Sequence, residues 1–189
     1  MTEVINARLK EIEKLYNVRI LYACESGSRA WGFASDNSDW DVRFIYVHKL
    51  PWYVSTQEHR DVIEIMEGDL DFSGWELKKA LKLLAKGNPP LLEWIGSPIV
   101  YAKDKAFVAD LSKLAIGSFD PKAAIYHYIG MAKRNYNQYI KDKTYVKIKK
   151  YLYVIRTLLC CMYIQEQGKM APTALEGSMS LLESYTAYP

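Results

Sequence analysis

The chain has 189 residues and a formal net charge of +3, with 50% apolar and 25% charged residues. This composition is typical of a globular protein and excludes a disordered chain, a collagen and a coiled-coil rod. No apolar stretch approaches the roughly 18 residues that a membrane-spanning helix needs, and the charged N-terminus predicts no signal peptide. Three cysteines cannot build a disulfide framework, so we expect a reducing, cytoplasmic location and no membrane partner.

The first part of the chain is predicted to contain one helix and three strands. Helical spacing of apolar residues predicts a helix over residues 3–16, with Thr2 as its N-cap. Short apolar or alternating runs predict strands over residues 19–24, 40–47 and 61–66. The segment between the first two strands is rich in glycine, serine, aspartate and asparagine, which predicts a loop.

The remainder of the chain is predicted to be helical. Residues 73–76, Ser-Gly-Trp-Glu, match a capping box and predict a helix that ends at Gly87. A helix follows with Pro89 in its first turn, and two long helices are predicted over residues 121–141 and 144–167. Strands followed by an all-helical half indicate an α+β fold, which we divide into domains 1–120 and 121–189.

Basic residues and tyrosines are concentrated in residues 122–156, which hold nine basic side chains, one acidic side chain and seven of the 15 tyrosines. One interpretation is a solvated helix face. The other, which we favour, is a groove where cations neutralise phosphates and aromatic rings stack on bases. Helical spacing of i, i+4 and i+7 predicts that Lys143, Lys147 and Lys150 share one face and bind nucleic acid, whereas Lys149 points away.

Three acidic residues fall at predicted strand ends. Asp39 and Asp41 alternate at the start of the second strand, so they project from one face about 7 Å apart along the backbone. Asp71 follows the third strand, with Asp69 as its rival. Carboxylates that converge need a cation, and oxygen ligands suit Mg²⁺ or Mn²⁺. We therefore predict Asp39, Asp41 and Asp71 as metal-binding, catalytic residues.

A phosphate cradle is predicted beside this cluster. Gly27 allows the backbone to approach a phosphate closely, and Ser28 offers a hydroxyl and an amide N–H. Arg43 shares the face of the two aspartates, where it meets a phosphate or pairs with an aspartate. Arg29 and Ser38 flank the motif and are predicted to contact the nucleotide or the metal. A cation beside a phosphate cradle is what phosphoryl or nucleotidyl transfer requires.

Gly-Ser followed about ten residues later by Asp-apolar-Asp-apolar, between two strands, is the pattern of the DNA polymerase β-like nucleotidyltransferases. The resemblance covers most of the chain and is closest to the predicted nucleotidyltransferase family of that superfamily, some of whose members are linked with RNA ligases and RNA repair. It is carried by GSRAWGFASDNSDWDVRFIY, DLDFSGWELKKALKLLAKGNPPLLEWIGSPIVY and KKYLYVIRTLLCCMYIQ. Members of the family extend beyond the region matching Gln167–Thr173, whereas this chain ends at Pro189, so we expect either a truncated or a naturally short form.

The resemblance implies a small sheet flanked by helices and followed by a helical C-terminal domain. Position by position, Gly27 and Ser28 match the phosphate-side motif, Asp39 and Asp41 the metal pair, and Asp71 the third carboxylate. The resemblance does not identify the nucleotide or the acceptor. From the site residues we predict transfer of NMP from an NTP to a hydroxyl, expected on the end of an RNA or another nucleic acid, with release of pyrophosphate.

Two alternative functions stay open, and one other class of phosphotransfer enzyme fits the sequence less well. A non-catalytic nucleotide- or RNA-binding relative would keep the fold, but an unpaired carboxylate cluster is costly to hold without a metal. A minimal nucleotidyltransferase of the toxin–antitoxin type would modify a protein hydroxyl. Haloacid dehalogenases also use Asp-x-Asp, but they usually have threonine or valine where this chain has Arg43.

Overall fold

The computed structural model describes residues 1–179 as a sheet flanked by helices, followed by a helical half. The strands are β1 (Val18–Ser26), β2 (Trp40–His48), β3 (Val62–Glu67), β4 (Leu70–Glu76) and β5 (Val100–Lys103). The helices are α1 (Thr2–Tyr16), α2 (Gly27–Ala30), α3 (Leu50–Tyr53), α4 (Leu77–Leu84), α5 (Pro89–Ile95), α6 (Lys105–Ser118), α7 (Pro121–Tyr139) and α8 (Ile148–Gln167). The α+β prediction is therefore confirmed. The last ten residues of the predicted helical domain lie outside the described part.

The five strands form one mixed sheet in the order β3-β4-β2-β1-β5. Strands β2 and β4 run parallel, and the other neighbouring pairs are antiparallel. The register places Asp41 of β2 directly opposite Asp71 of β4, and Ser26 of β1 opposite Asp41 on the other side. The end of β1 and the starts of β2 and β4 therefore meet at one edge of the sheet.

Each face of the sheet is covered by helices. Helix α1 buries Ile5, Leu9 and Ile12 against one face, and α4, α5 and α6 cover the other. In the helical half, α7 packs along α8 around a core that includes Tyr128, Cys160 and Ile164. No helix within residues 1–179 combines the length and apolar character needed to cross a bilayer.

The capping-box prediction at residues 73–76 is wrong. These residues belong to β4, which pairs with β2 on one side and β3 on the other, and this two-sided pairing overrides the local helix signal. A Cβ on Gly74 would lie 2.1 Å from the Phe44 ring, so this position needs glycine for packing. Helix α4 begins one residue after Glu76, whose carboxylate caps it by accepting from the Lys78 N–H at 2.7 Å.

The other helix ends follow the sequence more closely. Asn88 caps α5, and Gly168 ends α8 in a left-handed conformation with φ 63°, as predicted. Thr2 is not an N-cap, because it lies inside α1 and Met1 precedes the helix without a side-chain cap. Helix α8 begins at Ile148, four residues later than predicted, so Lys143 lies in the loop before it and Lys147 at its cap position.

Candidate active site

The centre of the candidate site is a pair of aspartates bridged by an arginine. Asp41 and Asp71 face each other across the parallel strands β2 and β4. The Nη2 atom of Arg43 lies 2.9 Å from Asp41 Oδ1 and 2.8 Å from Asp71 Oδ2, and its Nη1 donates to the Asp71 carbonyl at 2.9 Å. Arg43 therefore pairs with aspartates, which is one of its two predicted roles.

Glu25 holds the backbone of Asp41 by a hydrogen bond. It was not among the predicted site residues. Its side chain is fully buried in β1, where it accepts from the Asp41 N–H at 2.9 Å and from the Tyr101 hydroxyl at 2.5 Å. Burial raises the pKa of the Glu25 carboxyl, although these two hydrogen bonds act to lower it. Glu25 thus fixes the start of β2, and only the pairing of β1 with β2 reveals this role.

Burial and neighbouring charges together set the pKa of the Asp41 carboxyl. Burial raises the pKa of the Asp41 carboxyl, and the negative charges of Asp71 and Asp39 raise it further. The positive charges of Arg43 and Lys149 act to lower the pKa, but burial has the larger effect and the pKa remains raised.

The phosphate-side residues lie against the same aspartate. Gly27 begins α2 with φ +60°, and a Cβ there would lie 2.1 Å from Asp41 Oδ2. Glycine is therefore required both by the left-handed backbone and by the close approach of the carboxylate. Ser28 is buried and lines the cavity described below, as its predicted role requires.

Arg29 binds the backbone of the loop that precedes β2. Its guanidinium donates to the carbonyls of Ser38, at 2.6 Å, and Asp39, at 3.1 Å, and lies 3.8 Å above the Trp40 ring. These contacts fix the segment that leads into β2. Arg29 does not line the cavity next to Asp41, so its geometry suits positioning of Asp39 better than the predicted nucleotide contact.

Lys149 lies at the site, although helical spacing predicted that it points away from the nucleic-acid groove. Lys149 Nζ donates to Ser38 Oγ at 2.6 Å, and both residues line the cavity. The helix-face argument for Lys143, Lys147 and Lys150 is wrong, because Lys143 and Lys147 precede α8. Lys150 instead lies 3.8 Å above the Tyr139 ring. Binding of nucleic acid by these three lysines stays a prediction.

A cavity of about 410 Å³ lies between the sheet edge and the helical half. Its first wall carries the predicted motif, including Gly27, Ser28, Asp39 and Asp41. Its second wall comes from α7 and α8 and contains Met131, Asn135, Tyr153, Arg156 and Thr157. None of these five was predicted as a site residue, because the approach of α7 and α8 to β2 is a tertiary contact that no local pattern signals.

Metal binding stays a prediction. Among residues 1–179, no group of three or more histidine, cysteine, aspartate or glutamate side chains is arranged to hold a metal ion. Arg43 takes up one oxygen from each of Asp41 and Asp71, and the side chain of Asp39 is exposed. Carboxylate oxygens nevertheless match the ligands that Mg²⁺ and Mn²⁺ prefer.

Comparison with protein families gives a match over residues 1–188 to the RNA repair pathway DNA polymerase beta family. The chain belongs to this family. A curated relative, "Uncharacterized protein YcgL" of Bacillus subtilis (strain 168), is 53% identical over 173 residues. That alignment covers 91% of this chain and 66% of the relative, so the chain spans slightly less than two thirds of its length.

A solved nucleotidyltransferase-like protein from Exiguobacterium sibiricum 255-15 aligns with 92% of this chain and 62% of its own, at 11% identity and a TM-score of 0.38. Membership of the RNA repair pathway DNA polymerase beta family agrees with the superfamily that the sequence motifs indicated. The resemblance drawn from the sequence is thereby confirmed.

Proposed function

We propose that this protein is a metal-dependent nucleotidyltransferase that transfers NMP from an NTP to a hydroxyl acceptor, an RNA end, and releases pyrophosphate. The observation that carries the proposal is the cavity in which Asp41, Gly27, Ser28 and Lys149 meet. Such a site combines acidic oxygens for a cation with a backbone cradle and a basic side chain for phosphates. Family membership supports the same class of reaction.

Each site residue has a role in this proposal. Mg²⁺ or Mn²⁺ held by Asp39, Asp41 and Asp71 would neutralise phosphate charge and activate the attacking hydroxyl. Gly27 keeps the backbone of α2 against Asp41, so the Ser28 hydroxyl and amide can receive a phosphate. Lys149 of α8 extends from the opposite wall to Ser38, where its ammonium group would balance the triphosphate. Attack of the acceptor oxygen on the α-phosphorus forms one P–O bond and breaks the bond to the leaving pyrophosphate.

The pairing of Arg43 favours a second candidate, a nucleotide-binding relative without catalysis. Arg43 neutralises part of the charge on Asp41 and Asp71 without any metal. The cost of holding the carboxylates together therefore does not by itself argue for catalysis. In this candidate, the cavity binds a nucleotide, and no transfer occurs.

A label-transfer experiment separates the candidates. The protein is incubated with Mg²⁺ and each NTP labelled at the α-phosphorus, first with total RNA and then with a protein extract. We expect label in RNA, and none with Asp41→Asn. Label in protein alone would indicate the toxin–antitoxin type of acceptor. Saturable NTP binding without transfer to either pool would support the non-catalytic relative and contradict the main proposal.

We also keep the expectation of a cytoplasmic location. Cys24, Cys160 and Cys161 are all free thiols, which is the usual state of cysteines in a reducing compartment.

A further inference from the structure

Arg156 is a buried arginine that keeps one nitrogen unpaired beside the cavity. Only 1% of its surface is exposed. Its Nη2 lies 3.0 Å from Glu93 Oε1, and its Nε and Nη2 donate to the Thr173 carbonyl at 3.3 and 3.1 Å. Its Nη1 is buried without a hydrogen-bond partner. A buried donor without a partner destabilises the protein, so an acceptor supplied by a ligand would remove that penalty.

The charge of Arg156 is already balanced by protein groups. Glu93 pairs with it and also accepts from the Tyr128 hydroxyl at 2.6 Å and from Trp31 Nε1 at 3.3 Å. The free Nη1 therefore offers a directed hydrogen bond without much net positive charge. A neutral acceptor, such as a carbonyl oxygen or ring nitrogen, fits this environment better than a phosphate.

The surroundings of Arg156 are aromatic. Trp31 and Tyr153 line the cavity with their ring centroids 5.7 Å apart in an edge-on arrangement, and the Arg156 guanidinium lies 4.4 Å from the Trp31 ring. Aromatic side chains of this kind stack on the faces of nucleobases and strengthen binding. Asn135 lines the same wall and donates its Nδ2 to the Met131 carbonyl, which leaves its Oδ1 as an acceptor.

We propose that the cavity wall formed by Trp31, Asn135, Tyr153 and Arg156 is a nucleobase subsite, in which Arg156 Nη1 donates to an acceptor on the base edge. The inference rests on the proposed function, because it takes an NTP as the ligand. The triphosphate then lies toward Gly27 of α2 and Lys149 at the start of α8. Trp31 and the side chains of α7 and α8 that share its wall thus contact the base, while Gly27, Ser28 and Lys149 hold the phosphates.

Comparing each NTP with inorganic tripolyphosphate tests this division. Dissociation constants are measured by titration calorimetry in Mg²⁺ for the wild type and for Arg156→Lys, which keeps a cation for Glu93 but removes the spare nitrogen. Loss of a hydrogen bond to a charged group predicts at least tenfold weaker binding of the best-bound NTP. Binding of tripolyphosphate should change less than about twofold. Arg134→Lys, an exposed arginine on α7, is the matched control.

A second pair of variants tests the same subsite if Arg156→Lys does not fold. Tyr153→Leu removes the stacking surface, and it should weaken NTP binding about tenfold with tripolyphosphate unchanged. Tyr151→Leu, on the same helix but outside the cavity and 45% exposed, should change neither.

The outcomes distinguish this inference from the proposed function. Equal affinity of the wild type for all NTPs and tripolyphosphate would overturn the nucleobase subsite and leave the nucleotidyltransferase proposal intact. Equal weakening of both ligands in Arg156→Lys would show that the arginine binds a phosphate and would overturn the inference. Binding of neither ligand by the folded wild type would overturn both.

Discussion

Replacing Gly27 with alanine tests the closest contact in the site. Gly27 has φ +60°, and an added Cβ would lie 2.1 Å from Asp41 Oδ2 and 2.9 Å from its Cγ. Ordinary contact begins at 3.4 Å, so the carboxylate must move by more than 1 Å or the start of α2 must shift. Either movement separates the phosphate cradle from the aspartate that it faces.

Gly27→Ala is expected to strain the backbone and to displace Asp41, and a matched variant separates these two effects. A left-handed alanine costs roughly 1–2 kcal/mol in the free energy of unfolding. Gly68, in the turn between β3 and β4, has φ +57° with nothing within 4 Å of an added Cβ, so Gly68→Ala carries this strain alone. Gly27→Ala carries the same strain and also displaces Asp41. A misplacement of about 1 Å at a reacting centre can lower turnover by about 100-fold.

Urea unfolding and nucleotide-dependent thermal stability measure the two costs separately. Both variants should lose about 1–2 kcal/mol of stability without ligand. Only Gly27→Ala should lose the rise in melting temperature that Mg²⁺ and NTP produce in the wild type through mass action. The reasoning is refuted if Gly27→Ala keeps that rise in full, or if Gly68→Ala loses it to the same extent.

Three further predictions follow from side-chain contacts. Lys149→Ala should weaken NTP binding at least tenfold, as for a lost hydrogen bond to a charged group, while Lys147→Ala, before α8, should bind normally in the same titration. Arg43→Gln should lower the free energy of unfolding by about 1–3 kcal/mol without metal, because two carboxylates lose their partner, and added Mg²⁺ should restore part of it; no change without metal would contradict the pairing. Burial lowers the pKa of His127, although Glu93 acts to raise it. The folded state therefore binds this proton less readily than the unfolded state. Stability that is present above the ordinary histidine pKa of about 6.5 is lost as pH falls through the lower pKa of the folded state. Urea unfolding from pH 7.5 to about 5 should show a larger loss for the wild type than for His127→Gln, and equal losses would contradict this.

The sequence predicted the elements whose signals are local. Glycine, serine and paired aspartates mark the end of one strand and the start of the next, so the wall with Gly27 and Asp41 could be predicted from spacing alone. Asn88 and Gly168 likewise mark helix ends through short-range hydrogen bonds and backbone conformation. These predictions succeed because each depends on residues within a few positions of one another.

The remaining features depend on contacts between distant residues. Strand β4 is stabilised by two neighbours, and its Ser-x-x-Glu sequence resembles a helix start only in isolation. Arg156 is buried because Glu93, far away in the chain, pairs with it, and no periodicity in α8 indicates that partner. The error over the lysines arose because a helix was extended four residues too early, which placed Lys147 on a face that it does not occupy.

The central claim is that the cavity between the sheet edge and the helical half transfers nucleotides. Its most direct test is pyrophosphate release, measured in Mg²⁺ with each NTP and an RNA acceptor pool for the wild type and for the folded double variant Asp39→Asn/Asp41→Asn. The account predicts metal-dependent release by the wild type with at least one NTP and none by the double variant. Equal release by both proteins, or none by the wild type with any NTP, would contradict it.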